Sequence, residues 1–211
     1  MIVVNFSTEV YKNAQTRLAN SIAGQAFSCM FTKYKDINSP THQQSPYEFK
    51  IHAIEEAAEI DPIVLWCDSS MWRVGDLSII KNYIKRDGYF MEEAGHYAGR
   101  WTNKHTRQYF QVTEEEMYQG AGGITLFSAG LLGLDFKNPL AVGFFKMWKD
   151  AALAGCFSGS WEDHRHDMTC ASIIATRLGM KYHRGGSHMA YIGPGYAKPA
   201  PDVVFYCQGL L

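Results

Sequence analysis

The stretch VLWCDSSMWRVGD, Val64 to Asp76, decides the fold. Its first residues are apolar and β-branched or aromatic, the composition of a buried strand, and the strand stops on Asp68. An ionised carboxylate at the end of an apolar strand is costly to desolvate unless it sits at the rim of a sheet, facing a cleft or a cation. In open α/β sheets that rim, outside the carboxyl ends of the strands, is where ligands bind.

Outward from this strand, the pattern alternates. IVVNFS is a short β-branched run, and NAQTRLANSIAGQAF carries Leu18, Ile22 and Phe27 near helical spacing. AFSCMFTKY reads as a strand and INSPTHQQSP as a loop. YEFKIHAIEEAAEI reads as a helix with Phe49, Ile51, Ile54 and Ala58 inward, closed by Asp61 and Pro62 before the Asp68 strand. Helices of crossover length between strands predict a parallel arrangement here, covered on both faces. DLSIIKNYIKRDG predicts a helix ending at Gly88. GHYAGRWTNKHTRQYF is a polar aromatic loop, and GGITLFSAG a glycine-flanked strand. NPLAVGFFKMWKDAALAG has Asn138 as cap and Pro139 at the first helical position, with Leu140, Phe144, Met147 and Trp148 on one face. HDMTCASIIATRLGMKY predicts another helix, and the Gly- and Pro-rich tail GGSHMAYIGPGYAKPAPD predicts loop.

Composition narrows the function classes. The chain has 211 residues, of which 46% are hydrophobic and 14% aromatic, enough for one large core spanning residues 1–211. Twenty basic and 21 acidic residues leave a charge of −1, which neither recommends nor excludes an anionic partner. The five cysteines form no C-x-x-C pair, which argues against a disulfide framework and a thiolate zinc site and for a reducing, cytoplasmic setting. No run approaches the ~18 apolar residues of a membrane span.

Four groups of residues carry chemistry. Asp68, with Ser69 and Ser70 behind it, suits a divalent cation or a ribose hydroxyl, or else a turn whose aspartate bonds its own backbone. WEDHRHDMT packs Glu162, Asp163, His164, His166 and Asp167 together. These suit a hydrolytic metal site, or else Asp167 is a helix N-cap and the others surface. His188 precedes IGPGYAKP, whose backbone N–H groups and Lys198 suit a diphosphate. Lys50 is a cation at a helix start, where the helix dipole gives it nothing.

Taken in order along the chain, these residues resemble a GT-A-fold glycosyltransferase, most of all the glycogenin-type family 8 nucleotide-sugar transferases and their phage and bacterial relatives. VNFSTEVY matches the first strand and its nucleoside-holding polar residues, with Ser7, Thr8 and Tyr11. YEFK supplies Lys50 for the donor, and DSS keeps Asp68 of the Asp-x-Asp element while placing Ser70 at its second acidic position. HDMT puts Asp167 near the reacting sugar, with Met168 in place of glutamine. The terminal His-x-x-Gly-x-x-Lys-Pro element is echoed by His188, Gly195, Lys198 and Pro199, with His188 seven residues before Gly195.

The resemblance implies one α/β, Rossmann-like domain with a mixed, mainly parallel sheet covered by helices on both faces. Residues 1–87 would form its nucleotide-binding half and 88–211 its acceptor-binding half. It implies transfer of a sugar from a nucleoside-diphosphate sugar, UDP-linked by preference, to a hydroxyl of a saccharide, a protein or a hydroxymethylated DNA base. Asp167 would be catalytic, and Ser7, Thr8, Tyr11, Lys50, Asp68, Ser70, Gly195 and Lys198 would bind the donor. Asp68 and His188 would hold Mn²⁺ or Mg²⁺, an expectation that Ser70 weakens. Tyr97, Trp101 and Arg107 would meet the acceptor. The competing classes are a non-catalytic nucleotide- or carbohydrate-binding module and a metal hydrolase built on His164, His166 and Asp167.

Overall fold

The computed structural model describes residues 1–24, 27–33 (Lys33 by its backbone), 38–118, 123–196 and 198–208. Strand β1 (Ile2–Ser7) is buried along its whole length, and α1 (Lys12–Ile22) turns Ala14, Leu18 and Ile22 inward. After β2 (Ser28–Lys33), α2 (Phe49–Ile60) leads into β3 (Ile63–Cys67), which ends just before Asp68. β1 pairs in parallel with both β2 and β3, because helices carry the chain back between them.

The next segments complete the sheet differently. A short β4 (Met71–Arg73) is followed by α3 (Leu77–Asp87), capped by the Asp76 side chain, which accepts from Ser78 N, and closed by Gly88 at φ +85°. A side chain at Gly88 would be strained by that φ and would also collide with Asn138, 2.1 Å from where its Cβ would lie. β5 (Tyr89–Phe90) and β8 (Leu131–Asp135) then enter antiparallel, giving a mixed central sheet in the order β2-β1-β3-β8-β5. α6 (Pro139–Leu153) begins as the sequence predicts, with Asn138 accepting from Leu140 N and Pro139 in the first turn. Its buried face is Ala141, Phe144, Phe145 and Trp148, while Met147 is exposed. α7 (His166–Arg177) packs against it.

Strand alternation assigns each face of the sheet its own core. Ile2, Val4, Val64 and Trp66 face α2, α6 and α7. Val3, Leu65 and Cys67 face Leu18 and Ile22 of α1 and Leu77, Ile80 and Ile84 of α3. No helix of the described residues is long and apolar enough to cross a membrane.

Two sequence expectations give way. The segment 95–110 is not a plain loop: β6 (Glu93–Tyr97) pairs with β7 (Thr125–Phe127), and α4 (Lys104–Phe110) starts where Asn103 accepts from Thr106 N. The glycine-rich tail also contains a strand, β9 (Met189–Tyr191), parallel to β10 (Phe205–Cys207), which in turn pairs with β4. Three residues suffice because the backbone bonds come from the partner strand and Met189 and Ala190 are buried. The short α5 (Glu114–Met117) is closed by a reciprocal Thr113–Glu116 capping box.

One buried polar network fixes the rim where β1 and β3 end. Asn5, fully buried, donates to Cys67 O (2.6 Å) and Ser69 Oγ (3.1 Å), and its Oδ1 accepts from Gln15 Nε2 (2.9 Å). Gln15 also accepts from Ser7 Oγ and donates to Thr32 O, so four segments are tied at one point. Asn5→Leu fits the volume but strands these partners without water. Urea denaturation should show a loss of about 1–3 kcal/mol; an unchanged midpoint would mean the network does not hold the rim.

Candidate functional site

Because β1 and β3 are parallel, Thr8 and Tyr11 after one and Asp68 to Ser70 after the other lie at the same edge of the sheet. β8 runs the opposite way, so the residues before it, Ser128 to Gly130, reach that edge too, and Asp68 N donates to Gly130 O (2.8 Å). The first turns of α2 and α7 bring Lys50 and Asp167. The three candidates Lys50, Asp68 and Asp167 thereby meet.

At the centre is the Lys50 ammonium. Nζ lies 2.9 Å from Asp167 Oδ2 and 3.2 Å from Asp68 Oδ1, and donates to Ala129 O at 3.1 Å. The Lys50 and Asp167 side chains are almost wholly buried (3% and 4% exposed), whereas Asp68 is 34% exposed and faces the cleft. Trp66, two residues before Asp68 and so on the same face of the strand, donates its indole N–H to Asp68 Oδ1 (2.7 Å).

Burial opposes the charge on Lys50, but the Asp167 and Asp68 carboxylates outweigh it and hold the ammonium above the usual lysine range. Two carboxylates share this one cation. Burial is therefore the larger influence on Asp167 and pushes its carboxyl up; Lys50 pulls it down and the charge of Asp68 pushes it up again. Its place in the first turn of α7 favours the ionised form.

Asp167 is not a helix cap. α7 already begins at His166, its N-cap position is Arg165, and no side chain caps it. The aspartate points inward to Lys50 because His166, at φ +44°, turns the chain sharply before the first turn. His164 and His166 are buried as well, not surface residues. His164 faces the carbonyls of Cys156 (2.7 Å) and Trp101 (3.2 Å), and His166 Nδ1 donates to Phe157 O (2.8 Å). Both nitrogens of His164 and Nδ1 of His166 are thus set on backbone carbonyls, and among the described residues these side chains do not form a metal-holding group with Asp167.

Two hollows open on Asp68. The smaller, about 220 Å³, is lined by Phe6, Thr8, Tyr11, His42, Tyr47, Phe49, Trp66 and Asp68 to Ser70. The larger, about 580 Å³, has Lys50, Asp68 and Asp167 in its wall, together with His96, Trp161, Arg165, Tyr191 and Tyr196. Tyr47, Asp68 and Ser70 form the ridge between them. Tyr47 and Asp167's neighbour His166 are both non-glycine residues with positive φ, and their rings pack 5.5 Å apart beside the charged group.

The other candidates fall elsewhere. Ser7 is buried and its hydroxyl donates to Gln15. Gly195 and Lys198 are exposed and outside the two linings, which Tyr196 between them does reach. His188 packs against Tyr83 and Phe90, with Nδ1 3.1 Å from Glu92 Oε2. The buried Glu92 carboxylate also accepts from Gly186 N, His188 N and Met189 N, so His188 belongs to a structural knot. Arg107 bonds Thr102 O and Gly99 O and braces its own segment, and Trp101 lies under the Arg165 guanidinium.

A divalent cation at Asp68 would be held by one or two carboxylates, with waters and the oxygens of a bound diphosphate completing its shell. Among the described residues no group of three or more His, Cys, Asp or Glu could hold a metal ion. Ser70 Oγ lies 3.4 Å from Cys207 Sγ, and Asp68 Oδ1 already faces Trp66 and Lys50. The described side chains do not by themselves form a closed Mn²⁺ or Mg²⁺ cage at Asp68, and the cation set beside it here is Lys50.

Sequence reading missed Tyr47, Trp66, Trp161, Arg165 and Tyr196. Trp66 had a local signal, its i,i+2 relation to Asp68; the rest come from loops whose course the sequence does not set.

No protein-family model matches the sequence, and no curated protein matches it. Solved structures do match in shape. A glycosyltransferase involved in glycosylation of the major capsid of PBCV-1 matches with a TM-score of 0.58 at 13% identity, over 99% of this chain and 92% of that one. Mouse xyloside xylosyltransferase 1 matches with a TM-score of 0.53 at 10% identity, over 99% and 97%. The WbbM bifunctional glycosyltransferase matches with a TM-score of 0.60 at 9% identity, over 99% of this chain and 45% of that one. The chain has the mixed α/β fold of these glycosyltransferases.

Removing the central cation should be costly. Lys50→Met leaves two carboxylates facing each other, one fully buried, and should lower stability by about 3–5 kcal/mol at neutral pH in urea titrations. In the variant, Asp167 would bind its proton more tightly folded than unfolded. The penalty is then present above its folded pKa and shrinks as pH falls through it. A loss that does not shrink in acid would show that the pairing is not electrostatic.

Proposed function

We propose that the protein is a glycosyltransferase, moving a sugar from a nucleoside-diphosphate sugar, UDP-linked by preference, to a hydroxyl acceptor. The observation that carries this reading is the Lys50–Asp68–Asp167 group, set at the carboxyl rim of β1 and β3 between two hollows, on a fold shared with glycosyltransferases.

In this reading the small hollow takes the nucleoside. Its aromatic walls, Phe6, Tyr11, Tyr47 and Phe49, suit a planar base, and Thr8 and Ser70 supply hydroxyls. The ribose and diphosphate cross the ridge at Asp68, between the two hollows. The sugar enters the larger cleft over Asp167.

Departure of the nucleoside diphosphate leaves positive charge on the sugar's anomeric carbon and ring oxygen. A carboxylate fixed beside that carbon stabilises the charge as it develops, without reorganisation. Lys50 makes this possible by keeping a buried Asp167 ionised. Asp68, part-exposed and braced by Trp66, positions ribose or sugar hydroxyls. A protein-held metal has no step in this scheme. A non-catalytic binding module would need the same hollows but not a buried carboxylate set in the wall of the larger one.

Differential scanning of the protein with nucleoside diphosphates tests the binding half. UDP at about 100 times its Kd should stabilise by about 2.7 kcal/mol and raise the Tm, ADP and GDP less. No shift with any of them would count against the transferase reading. The catalytic half rests on Asp167→Asn, which keeps a partner for Lys50 but removes the charge. Release of UDP from a sugar donor should fall by about a hundredfold, with UDP affinity little changed. Turnover equal to the parent would move the role to another group. Ionisation of Asp167 also sets the acid limb of the rate profile: because its carboxyl is pushed up, kcat should fall in acid at a pH above the ordinary aspartate range.

A further inference from the structure

One wall of the larger cleft has no part in the donor scheme. Trp161 stacks on His166, with ring centroids 5.6 Å apart and planes 24° apart, and is still 53% exposed where it lines the cleft. The Arg165 guanidinium lies 4.1 Å from the Trp161 ring and 3.5 Å from the Trp101 ring, and donates one N–H to Trp161 O. Tyr191 and Tyr196, stacked 5.7 Å apart and both about half exposed, line the same cleft. Apolar surface rimmed by polar groups in a cleft is the pattern of a ligand-binding groove.

Arg165 is held in place by stacking, not by a carboxylate. Among the described residues neither Arg165 nor Arg100, which lies 4.3 Å from the Trp101 ring, makes a salt bridge. A third hollow, lined by His96, Arg100 and Trp101 among others, adjoins the cleft at His96. Two guanidiniums that make no ion pair among the described residues thus lie beside an exposed indole, while the Asp68 carboxylate in the same cleft is set against Lys50 and Trp66. Stacking pre-organises the Arg165 fork, so little further freedom is lost when an anion binds.

We propose that this wall is the acceptor subsite and that the acceptor is a saccharide carrying one anionic group, a carboxylate or a phosphate. Its ring packs on Trp161, and its anion is taken by Arg165 with Arg100 behind. The proposal rests on the transferase reading for the word acceptor, but the binding itself needs no donor. A sugar ring's C–H face, polarised by its oxygens, matches the electron-rich face of the indole. A single anionic group fits better than a polyanion, because Glu162 and Asp163 follow Trp161 directly and are exposed, and would repel a phosphate backbone running along this wall.

The test is tryptophan fluorescence of the whole chain, titrated with methyl glucuronide, glucose 6-phosphate, neutral methyl glucoside and a single-stranded oligothymidylate. The two anionic sugars should bind more tightly than the neutral one by about tenfold or more. The better of the two tells carboxylate from phosphate. Arg165→Gln should abolish the preference, and Trp161→Ala should abolish the response. If Arg165→Gln does not fold, Arg100→Gln, which stands outside the larger cleft, should still reduce the preference. Equal binding of neutral and anionic sugars, no response to either anionic sugar, or tighter binding of the oligonucleotide would overturn the proposal. None of these outcomes depends on whether UDP binds, so failure here and failure of the transferase reading are told apart.

Discussion

The arrangement turns on one buried ammonium. Lys50 sits between Asp167 and Asp68 with Ala129 O as its third partner. Burying such a charge without partners would be prohibitive, and burying Asp167 alone would be as bad, so each is admitted only by the other. The constraint reaches beyond the pair. Lys50 belongs to α2, Asp68 to the end of β3, Asp167 to α7 and Ala129 to the approach to β8; an ion group of this kind is satisfied only when all four segments have docked. The functional rim and the closing of the fold are in this sense one event.

Much of the scaffold was legible from local pattern. The β-branched runs at Ile2 and Ile63, the helical spacing of Leu18 and Ile22, the Asn138–Pro139 start and the Gly88 stop each carry their cause within a few residues, and the structure uses them so. Asp68 was legible for the same reason, as a carboxylate ending an apolar run. What was not legible depends on distant partners. Asp167 looks like a cap because aspartate before a helix usually is one; only the position of Lys50 makes it the inward-facing member of a pair. His164 and His166 read as surface because charged neighbours flank them, yet carbonyls of Cys156, Phe157 and Trp101 occupy their rings. The segment 95–110 reads as loop because β6 has no apolar alternation of its own and exists through β7.

Ser70 shows how a single side chain alters a site's electrostatics. A second carboxylate there would add to the excess negative charge already present around Lys50 and would call for a further cation. With serine, one ammonium faces two carboxylates, and the remaining charge falls on the half-open Asp68, where solvent or a bound ligand's hydroxyls meet it. The same balance lets Asp167 remain an anion inside the protein.

The two hollows are joined by aromatic packing as well as by charge. Phe6 stacks on Phe49 at 4.5 Å, Phe49 meets Tyr47 at 6.0 Å, Tyr47 meets His166 at 5.5 Å, and His166 stacks on Trp161. The chain of rings therefore runs from the wall of the small hollow to the part-exposed indole of the large one. Tyr47 and His166, its middle members, both hold positive φ, a conformation that costs of order 1–3 kcal/mol each and persists only where surrounding contacts fix it. Those contacts are supplied by the rings themselves and by the ion pair beside them: the Lys50 ammonium lies 5.1 Å from the Tyr47 ring centroid. A ligand that moved Tyr47 would have to disturb the charged group, and a change at the charged group would be felt at Trp161. The walls of the two hollows are thus set by one connected element, which is the condition for holding two groups at a fixed separation.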